Sequence, residues 1–131
     1  MRTRTCVVLF FCLPACGCSG DKSTAQLLGD LKSSDERDRL IAVRLLPQRK
    51  GDAAQIVPVL IEVLKDKEGD IRWSAAIGLG SFGEQAKDAI PALKEAQRDR
   101  DPRVREAAGK ALSRIDPNIP PTALPKSPVK Q

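Results

Sequence analysis

The 131-residue sequence contains no histidine and no tyrosine, and only one tryptophan and three phenylalanines. Without histidine the chain lacks the commonest general base and the commonest metal ligand. Because aromatic residues make up only 3% of the chain, a core must be built from Leu, Ile, Val and Ala, which suits close helix packing better than a β-sandwich. All four cysteines lie within the first 18 residues, so the remainder holds neither a disulfide framework nor a thiolate metal site. The composition predicts one small domain stabilised by packing, with no cofactor, no metal and no enzymatic activity.

The first 20 residues have the pattern of a secretory signal peptide. Two arginines, Arg2 and Arg4, precede an apolar stretch over residues 6–13, and small residues follow it before the charged Asp21. The apolar stretch is too short to span a bilayer. We therefore expect residues 1–20 to direct export rather than to form part of the folded domain.

The end of this leader carries the sequence Leu13-Pro14-Ala15-Cys16. It resembles the lipobox of bacterial lipoproteins, and the resemblance implies that Cys16 is lipidated and anchors an exported protein to a membrane of the bacterial cell envelope. Pro14 departs from that motif, which usually has a small residue there. Cys18 is a second candidate for lipidation, and ordinary signal cleavage near Gly20 is an alternative.

The strongest pattern in the sequence is a repeat with a period of 33 residues. A shift of 33 aligns residues 56–61 with 89–94 and residues 70–76 with 103–109. Self-similarity at such a period is typical of a solenoid. Apolar or small residues recur with helical spacing in the aligned units, at Ile71, Ala75, Gly78, Leu79 and Phe82 and at Val104, Ala108, Ala111, Leu112 and Ile115. The pattern predicts about six helices, near residues 24–33, 36–48, 54–66, 70–83, 87–99 and 102–115.

Prolines and glycines refine these boundaries. Pro47 is expected to end or kink the second helix early, because proline disrupts a helix interior. Pro58 and Pro91 are expected near the starts of their helices, where a missing N–H costs little. Gly51 and Gly83 are expected in turns that follow helices.

The segment Asp101-Pro-Arg-Val-Arg-Glu-Ala-Ala-Gly-Lys-Ala-Leu112 resembles HEAT-like repeats of the short type also found in phycobilisome-lyase-like proteins. The resemblance extends over residues 24–115 and implies an all-α fold, a short right-handed α-α superhelix. In such repeats an acidic residue and an arginine tie neighbouring units together. By that resemblance a structural ladder is expected from pairs that recur at i, i+4, namely Asp35 with Arg39, Glu68 with Arg72, and Asp101 with Arg105.

The helical repeat domain is expected to cover residues 21–116. Residues 117–131 contain five prolines and little apolar mass, which favours an extended, disordered tail. The predicted organisation is therefore a leader, one repeat domain and a proline-rich end.

More specific chemistry finds little support in the sequence. Residues 78–83 satisfy G-x-G-x-x-G, but these glycines close a predicted helix instead of following a strand, so we interpret them as turn and close-packing residues. Hydroxylases built on similar repeats need histidines, and bilin lyase chemistry would require a tetrapyrrole pocket and typically longer arrays. Removing Arg2 and Arg4 with the leader lowers the formal charge from +5 to +3, and the remaining charges are interleaved, which argues against nucleic-acid binding.

These observations predict a membrane-tethered protein-binding or scaffolding module whose partner is an unknown protein and not a nucleic acid or a small molecule. A structural subunit of an envelope complex is the alternative. Trp73 points away from the apolar stripe of its helix, so it is predicted either to anchor a partner or meet the membrane interface, or to pack on the leader-proximal segment or the tail. Further contributors are expected on the concave side formed by the second helices, at Glu62, Lys65, Lys94, Gln97 and Arg98.

Overall fold

The computed structural model describes residues 22–120, which form a stack of six α-helices without strands. The leader with Cys16 and residues 121–131 of the tail lie outside the described residues. No helix within residues 22–120 is long and apolar enough to cross a membrane. The all-α, HEAT-like prediction is confirmed. The helices are α1 (Thr24–Asp30), α2 (Glu36–Leu45), α3 (Ala53–Val63), α4 (Gly69–Phe82), α5 (Ile90–Ala96) and α6 (Pro102–Ile115).

The helices pack in two layers that follow the 33-residue register. Helices α2, α4 and α6 lie side by side in chain order, and α3 packs both on α4 and on the 3-10 segment Gly83–Ala89 that precedes α5. The predicted stripes of α4 and α6 are buried throughout, so each helix faces the core with its small and aliphatic residues. The largest fully buried side chains are Leu27, Val43, Leu46, Ile56, Leu60, Ile71, Leu79, Leu93, Val104, Leu112 and Ile115.

Short polar side chains begin the helices at equivalent positions of the repeat. Asp35 and Asp101 each accept a hydrogen bond from the backbone N–H two residues later, at 2.8 and 2.9 Å. Ser23 forms a reciprocal capping box with Gln26 at the start of α1. These caps satisfy backbone donors that the first helical turn leaves unpaired. Local sequence therefore sets where α1, α2 and α6 begin.

The three prolines considered above have different outcomes. Helix α2 ends at Leu45 and passes into the 3-10 segment Leu46–Gln48, which contains Pro47, so the early end is confirmed. Pro58, expected near a helix start, instead lies inside α3, because that helix already begins at the buried Ala53. In the next unit the equivalent stretch is 3-10 helix with a non-helical Ala86, so Pro91 does fall in the first turn of α5.

The glycine turn after α4 is confirmed. Gly83 has φ +57°, a left-handed conformation that residues with a Cβ adopt only with strain. Gly51 was expected to serve the same purpose, but it lies in the 3-10 segment Lys50–Asp52 without a positive φ. Among the turns of residues 22–120, only the one after α4 therefore depends on glycine for its backbone conformation.

Helices α4 and α6 approach most closely at Gly80. A Cβ added there would lie 2.9 Å from Cα of Ala111 and 3.1 Å from its Cβ. Backbone at this distance cannot rotate away as a side chain can, so any larger residue must push α6 outward. The G-x-G-x-x-G stretch is therefore a close-packing and turn element.

Gly80→Ala is expected to destabilise the protein although alanine favours helix. Overpacking against α6 costs about 1–3 kcal/mol, which exceeds the helix-propensity gain of up to about 1 kcal/mol. Gly29→Ala on α1 is the matched control, because nothing lies within 4 Å of a Cβ there, and it should raise stability slightly. Urea denaturation of both variants measures the difference; equal midpoints would contradict the close approach.

Candidate protein-binding surface and the inter-repeat ladder

Two buried arginines join consecutive repeat units. Arg72 donates from Nε and Nη2 to the carboxylate of Asp99, both at 2.8 Å, and from Nη1 to the carbonyls of Asp66 and Lys67 at 2.8 and 3.0 Å. Each nitrogen of this planar fork thus donates to at least one acceptor, as burial of a charged group requires. The Arg72 side chain therefore ties its own inter-helix turn to the turn of the following unit.

Arg39 repeats this arrangement one unit earlier. Its Nε and Nη2 lie 3.0 and 3.4 Å from the Asp66 carboxylate, and Nη1 donates to the carbonyls of Ser33 and Ser34, both at 3.1 Å. The longer distances to Asp66 indicate a weaker pair than that of Arg72 with Asp99. The two arginines form the ladder that the sequence predicted, but with different acids.

Within residues 22–120 the predicted i, i+4 ion pairs are absent. Asp35 and Asp101 instead cap helices, and Glu68 is the N-cap residue of α4 without a side-chain capping bond. Arg105 donates through Nη1 to the carbonyls of Asp99 and Arg100 at 2.9 and 3.4 Å. The actual acids are Asp66 and Asp99, which lie 27 residues after their arginines. Their own 33-residue spacing was the available sequence signal.

The Arg72 guanidinium lowers the pKa of Asp99 from its ordinary value through direct hydrogen bonds, which outweigh the opposing effect of burial. A carboxyl whose folded-state pKa lies below its unfolded-state value stabilises the fold fully above the unfolded-state pKa, about 3.9. That stabilisation is lost as the pH falls through the folded-state pKa.

Asp99→Asn is therefore expected to lower stability at neutral pH and to flatten the decline of stability as the pH falls below about 4. The asparagine cannot carry the charge whose protonation is linked to unfolding. Thermal unfolding over this pH range measures the effect. Glu84→Gln, at an exposed residue, serves as control and should keep the wild-type pH profile. Parallel profiles for wild type and Asp99→Asn would contradict the assignment.

A second feature is an apolar ridge on the outer side of α4, formed by Trp73 and Ile77. Trp73 is half-buried and packs on the core, whereas Ile77 is 40% exposed. A groove of about 440 Å³ separates the ridge from α6, with Gly80, Ala107 and Ala111 on its apolar lining. Its charged lining residues are Arg103, Glu106, Lys110 and Arg114.

A smaller groove lies on the other side of the ridge, toward α2. It has a volume of about 180 Å³ and is lined by Val43, Pro47 and the ridge residues Trp73 and Ile77 among others. The Oγ of Ser74, also in the lining, is buried without a hydrogen-bond partner in the described part of the chain. The ridge is thus bordered by concave surfaces on both sides.

The residues predicted to bind a partner on the second helices do not line either groove beside the ridge. Glu62 and Lys65 are exposed and line a separate cavity of about 210 Å³ with residues that follow α1. Lys94 is on α5, and Gln97 and Arg98 follow at its C-terminal end. The structure brings Glu62 and Lys65 together but places Trp73 on a different surface.

Sequence reasoning missed two exposed apolar residues on α2, Ile41 and Leu45, at 50% and 37% exposure. Their helical spacing from each other was the available signal, but they fell outside the buried stripe used to define the repeat. Within residues 22–120 no cluster of three or more His, Cys, Asp or Glu is arranged to hold a metal ion.

Comparisons with known proteins agree with this architecture. The family model for HEAT repeats matches residues 24–113. A similar solved structure is the complex of CpcE and CpcF of phycocyanin lyase from Nostoc sp. PCC7120, with a TM-score of 0.67 and 27% sequence identity. The match covers 79% of this chain but only 40% of that lyase chain. No curated protein matches the sequence.

One prediction from the sequence is contradicted by these comparisons. The absence of histidine and of a recognised catalytic motif led to the expectation that the protein is not an enzyme. The similar structure belongs to a phycocyanin lyase, which is an enzyme, so a helical stack of this kind is compatible with an enzymatic assembly. Since the family model spans most of the chain, this protein belongs to the HEAT-repeat family.

Proposed function

We propose that the chain is a protein-interaction module that binds a partner through the ridge of Trp73 and Ile77. One observation carries the proposal. The repeat register places Arg44 and Lys110 at the positions equivalent to Ile77, and Leu40 and Glu106 at the positions equivalent to Trp73. The fold therefore accepts charged side chains at the position of Ile77, and burial within the stack does not explain the exposed isoleucine.

The physical chemistry of the ridge suits protein recognition. A tryptophan supplies a large apolar area with one hydrogen-bond donor, and such residues carry much of the energy at protein interfaces. The apolar floor with a charged rim matches the usual arrangement of an interface. The similar lyase structure is itself a complex of two proteins.

The experiment compares the capture of partners by the wild-type chain, Ile77→Lys and Ile41→Lys. Lysine already occupies the position equivalent to Ile77 in the third unit, so Ile77→Lys should fold with little change in melting temperature. Ile41→Lys is the control, because Ile41 is an exposed isoleucine that lines neither groove. We expect Ile77→Lys alone to lose the captured partner. Equal capture by all three proteins would exclude the ridge.

A second candidate function is that of one component in a lyase-type enzyme made of two proteins, favoured by the likeness to phycocyanin lyase. Because that solved structure is a complex of two proteins, such an assembly would need a partner of this chain. The test combines the chain and its captured partner with apo-phycocyanin and a bilin. Covalent bilin attachment, measured by absorbance after denaturing electrophoresis, should require both proteins; attachment at the rate without them would exclude this candidate.

We further propose that Cys16 carries a lipid that tethers the module to an envelope membrane. Two or more acyl chains would give stable attachment, since a single chain binds only marginally. Fractionation and N-terminal mass analysis of Cys16→Ser, with Cys18→Ser as the matched control, test the assignment. Loss of lipid and membrane association only in Cys16→Ser is the expected result, and unchanged fractionation would exclude it.

A further inference from the structure

Arg105 presents a third copy of the guanidinium fork at the end of the repeat stack. Arg39, Arg72 and Arg105 share one register position, and each donates from Nη1 to two carbonyls of the turn before its helix. In the first two copies Nε and Nη2 then bind the carboxylate of an aspartate in the next unit. Shared anchoring through Nη1 means that Arg105 is held as its equivalents are.

No residue within 22–120 accepts a hydrogen bond from Nε or Nη2 of Arg105. Arg105 is half-buried, so its fork is partly removed from water and still accessible. The register position equivalent to Asp66 and Asp99 is 132, and residues 117–131 contain no Asp or Glu. Residues 117–131 therefore supply no side-chain carboxylate for this fork.

We propose that the Nε and Nη2 donors of Arg105 form a binding site for a carboxylate, supplied by an Asp or Glu side chain of a protein partner. The two occupied forks of the same molecule show the chemistry directly, because both hold an aspartate in bidentate geometry. Planar bidentate pairing of guanidinium and carboxylate is stronger and more specific than a single neutral hydrogen bond.

A second copy of this chain is a poor source of the ligand. If the first unit of a second copy stacked on the last unit of this one, Ser33 would face Arg105, because Ser33 is the first unit's equivalent of Asp66 and Asp99. Its Oγ already accepts from the N–H of Asp35 and donates to Asp38, both at 3.1 Å, and one hydroxyl cannot match two parallel donors. The geometry therefore favours a different protein with an acidic residue.

The residues near the end of the stack are also polar where the preceding unit is apolar. Lys94 and Gln97 occupy the register positions of Ile61, which is half-buried, and Leu64, which is buried. Within residues 22–120 this surface is therefore more polar than the equivalent surface of the preceding unit. A polar contact led by the partner's carboxylate fits this surface better.

The inference rests on the proposed protein-binding function only in naming a protein as the source of the carboxylate. Binding of a carboxylate by Arg105 can therefore be tested without the partner. Sodium acetate is titrated into the unaltered ¹⁵N-labelled chain, and the Nε–Hε signals of the arginines are followed by NMR, with sodium chloride at equal ionic strength as the control. We expect acetate to shift the Arg105 signal and to leave the signals of Arg39 and Arg72, whose forks are occupied, in place. If Arg105 shifts no more than the exposed Arg37, the proposal is wrong.

The second measurement is the affinity for the partner captured through the ridge. Arg105→Gln is expected to weaken binding by about tenfold, the effect of losing one charge-assisted contact. Ile77→Lys separates the two proposals, since it tests the ridge and not the fork. Ridge-dependent binding that is unaffected by Arg105→Gln would overturn the assignment of this carboxylate to the partner and leave the proposed function standing.

Discussion

Replacing Arg72 with methionine is expected to lower the free energy of unfolding by about 3–5 kcal/mol, the loss typical when one member of a buried ion pair is removed. Only 5% of Arg72 is exposed, and its guanidinium bridges Asp99 and two turn carbonyls. Methionine fills much of the volume but donates no hydrogen bond. The Asp99 carboxylate would therefore remain partly buried without its charge partner.

Two controls separate burial of charge from loss of contact. Arg103→Met removes an arginine that also forms ion pairs, with Asp70 and Asp101, but whose side chain is 60% exposed, so it should change stability little. The double variant Arg72→Met with Asp99→Asn removes the uncompensated charge and should recover part of the loss. Guanidinium chloride denaturation provides the comparison. Equal losses for Arg72→Met and Arg103→Met would show that the ladder is not a stabilising element.

Leu79→Ala is expected to lower the free energy of unfolding by about 2–5 kcal/mol, since it removes apolar contacts and leaves a cavity. Leu79 is fully buried on α4, the helix that packs between α2 and α6 and against α3. A cavity here is enclosed by rigid helices on several sides, so little collapse can offset it.

Ile77→Ala is the matched control for this prediction, because it removes a similar volume from the same helix. Ile77 is 40% exposed, so its truncation should cost less than about 1 kcal/mol. The two variants also separate stability from function, since Ile77 belongs to the proposed binding ridge. Thermal and chemical denaturation of both proteins give the comparison, and a loss for Ile77→Ala equal to that for Leu79→Ala would place Ile77 in the core.

The ladder and the ridge divide the molecule between stability and recognition. Arg39 and Arg72 are buried along the turns and bind acids of the next unit. Trp73 and Ile77 lie on the outer side of α4, and the units on both sides carry a charged residue at the position equivalent to Ile77. Substitution of the exposed Ile77 should therefore affect partner binding with little effect on the fold.

The expectation of no enzymatic role was wrong because it considered the side chains of one chain only, whereas an enzyme can be a complex of two proteins. Missing histidine excludes one set of catalytic side chains within this chain, but it does not bear on chemistry that a second protein completes. The similar solved structure is an enzyme described as a complex of two proteins. Composition of a single chain cannot identify that arrangement.

Periodicity in the sequence was sufficient to predict the helices and most of the core. The spacing of Leu79 and Leu112 within their stripes predicted burial, and the structure buries both. Pro47 predicted the early end of α2 because its effect on the backbone is local. Burial along a helix and the end of a helix depend on residues within one or two helical turns. The spacing of residues in the sequence therefore predicts both directly.

Only the tertiary structure decided which acids meet the ladder arginines and which surfaces border the ridge. Asp35 and Asp101 are near their arginines in sequence, but backbone N–H groups at the helix starts compete for these carboxylates and bind them. Asp66 and Asp99 reach the forks because stacking brings the turn of the next unit alongside. Contacts between units depend on how whole helices pack. A spacing rule for residues of one helix carries no information about the distance between side chains of different units.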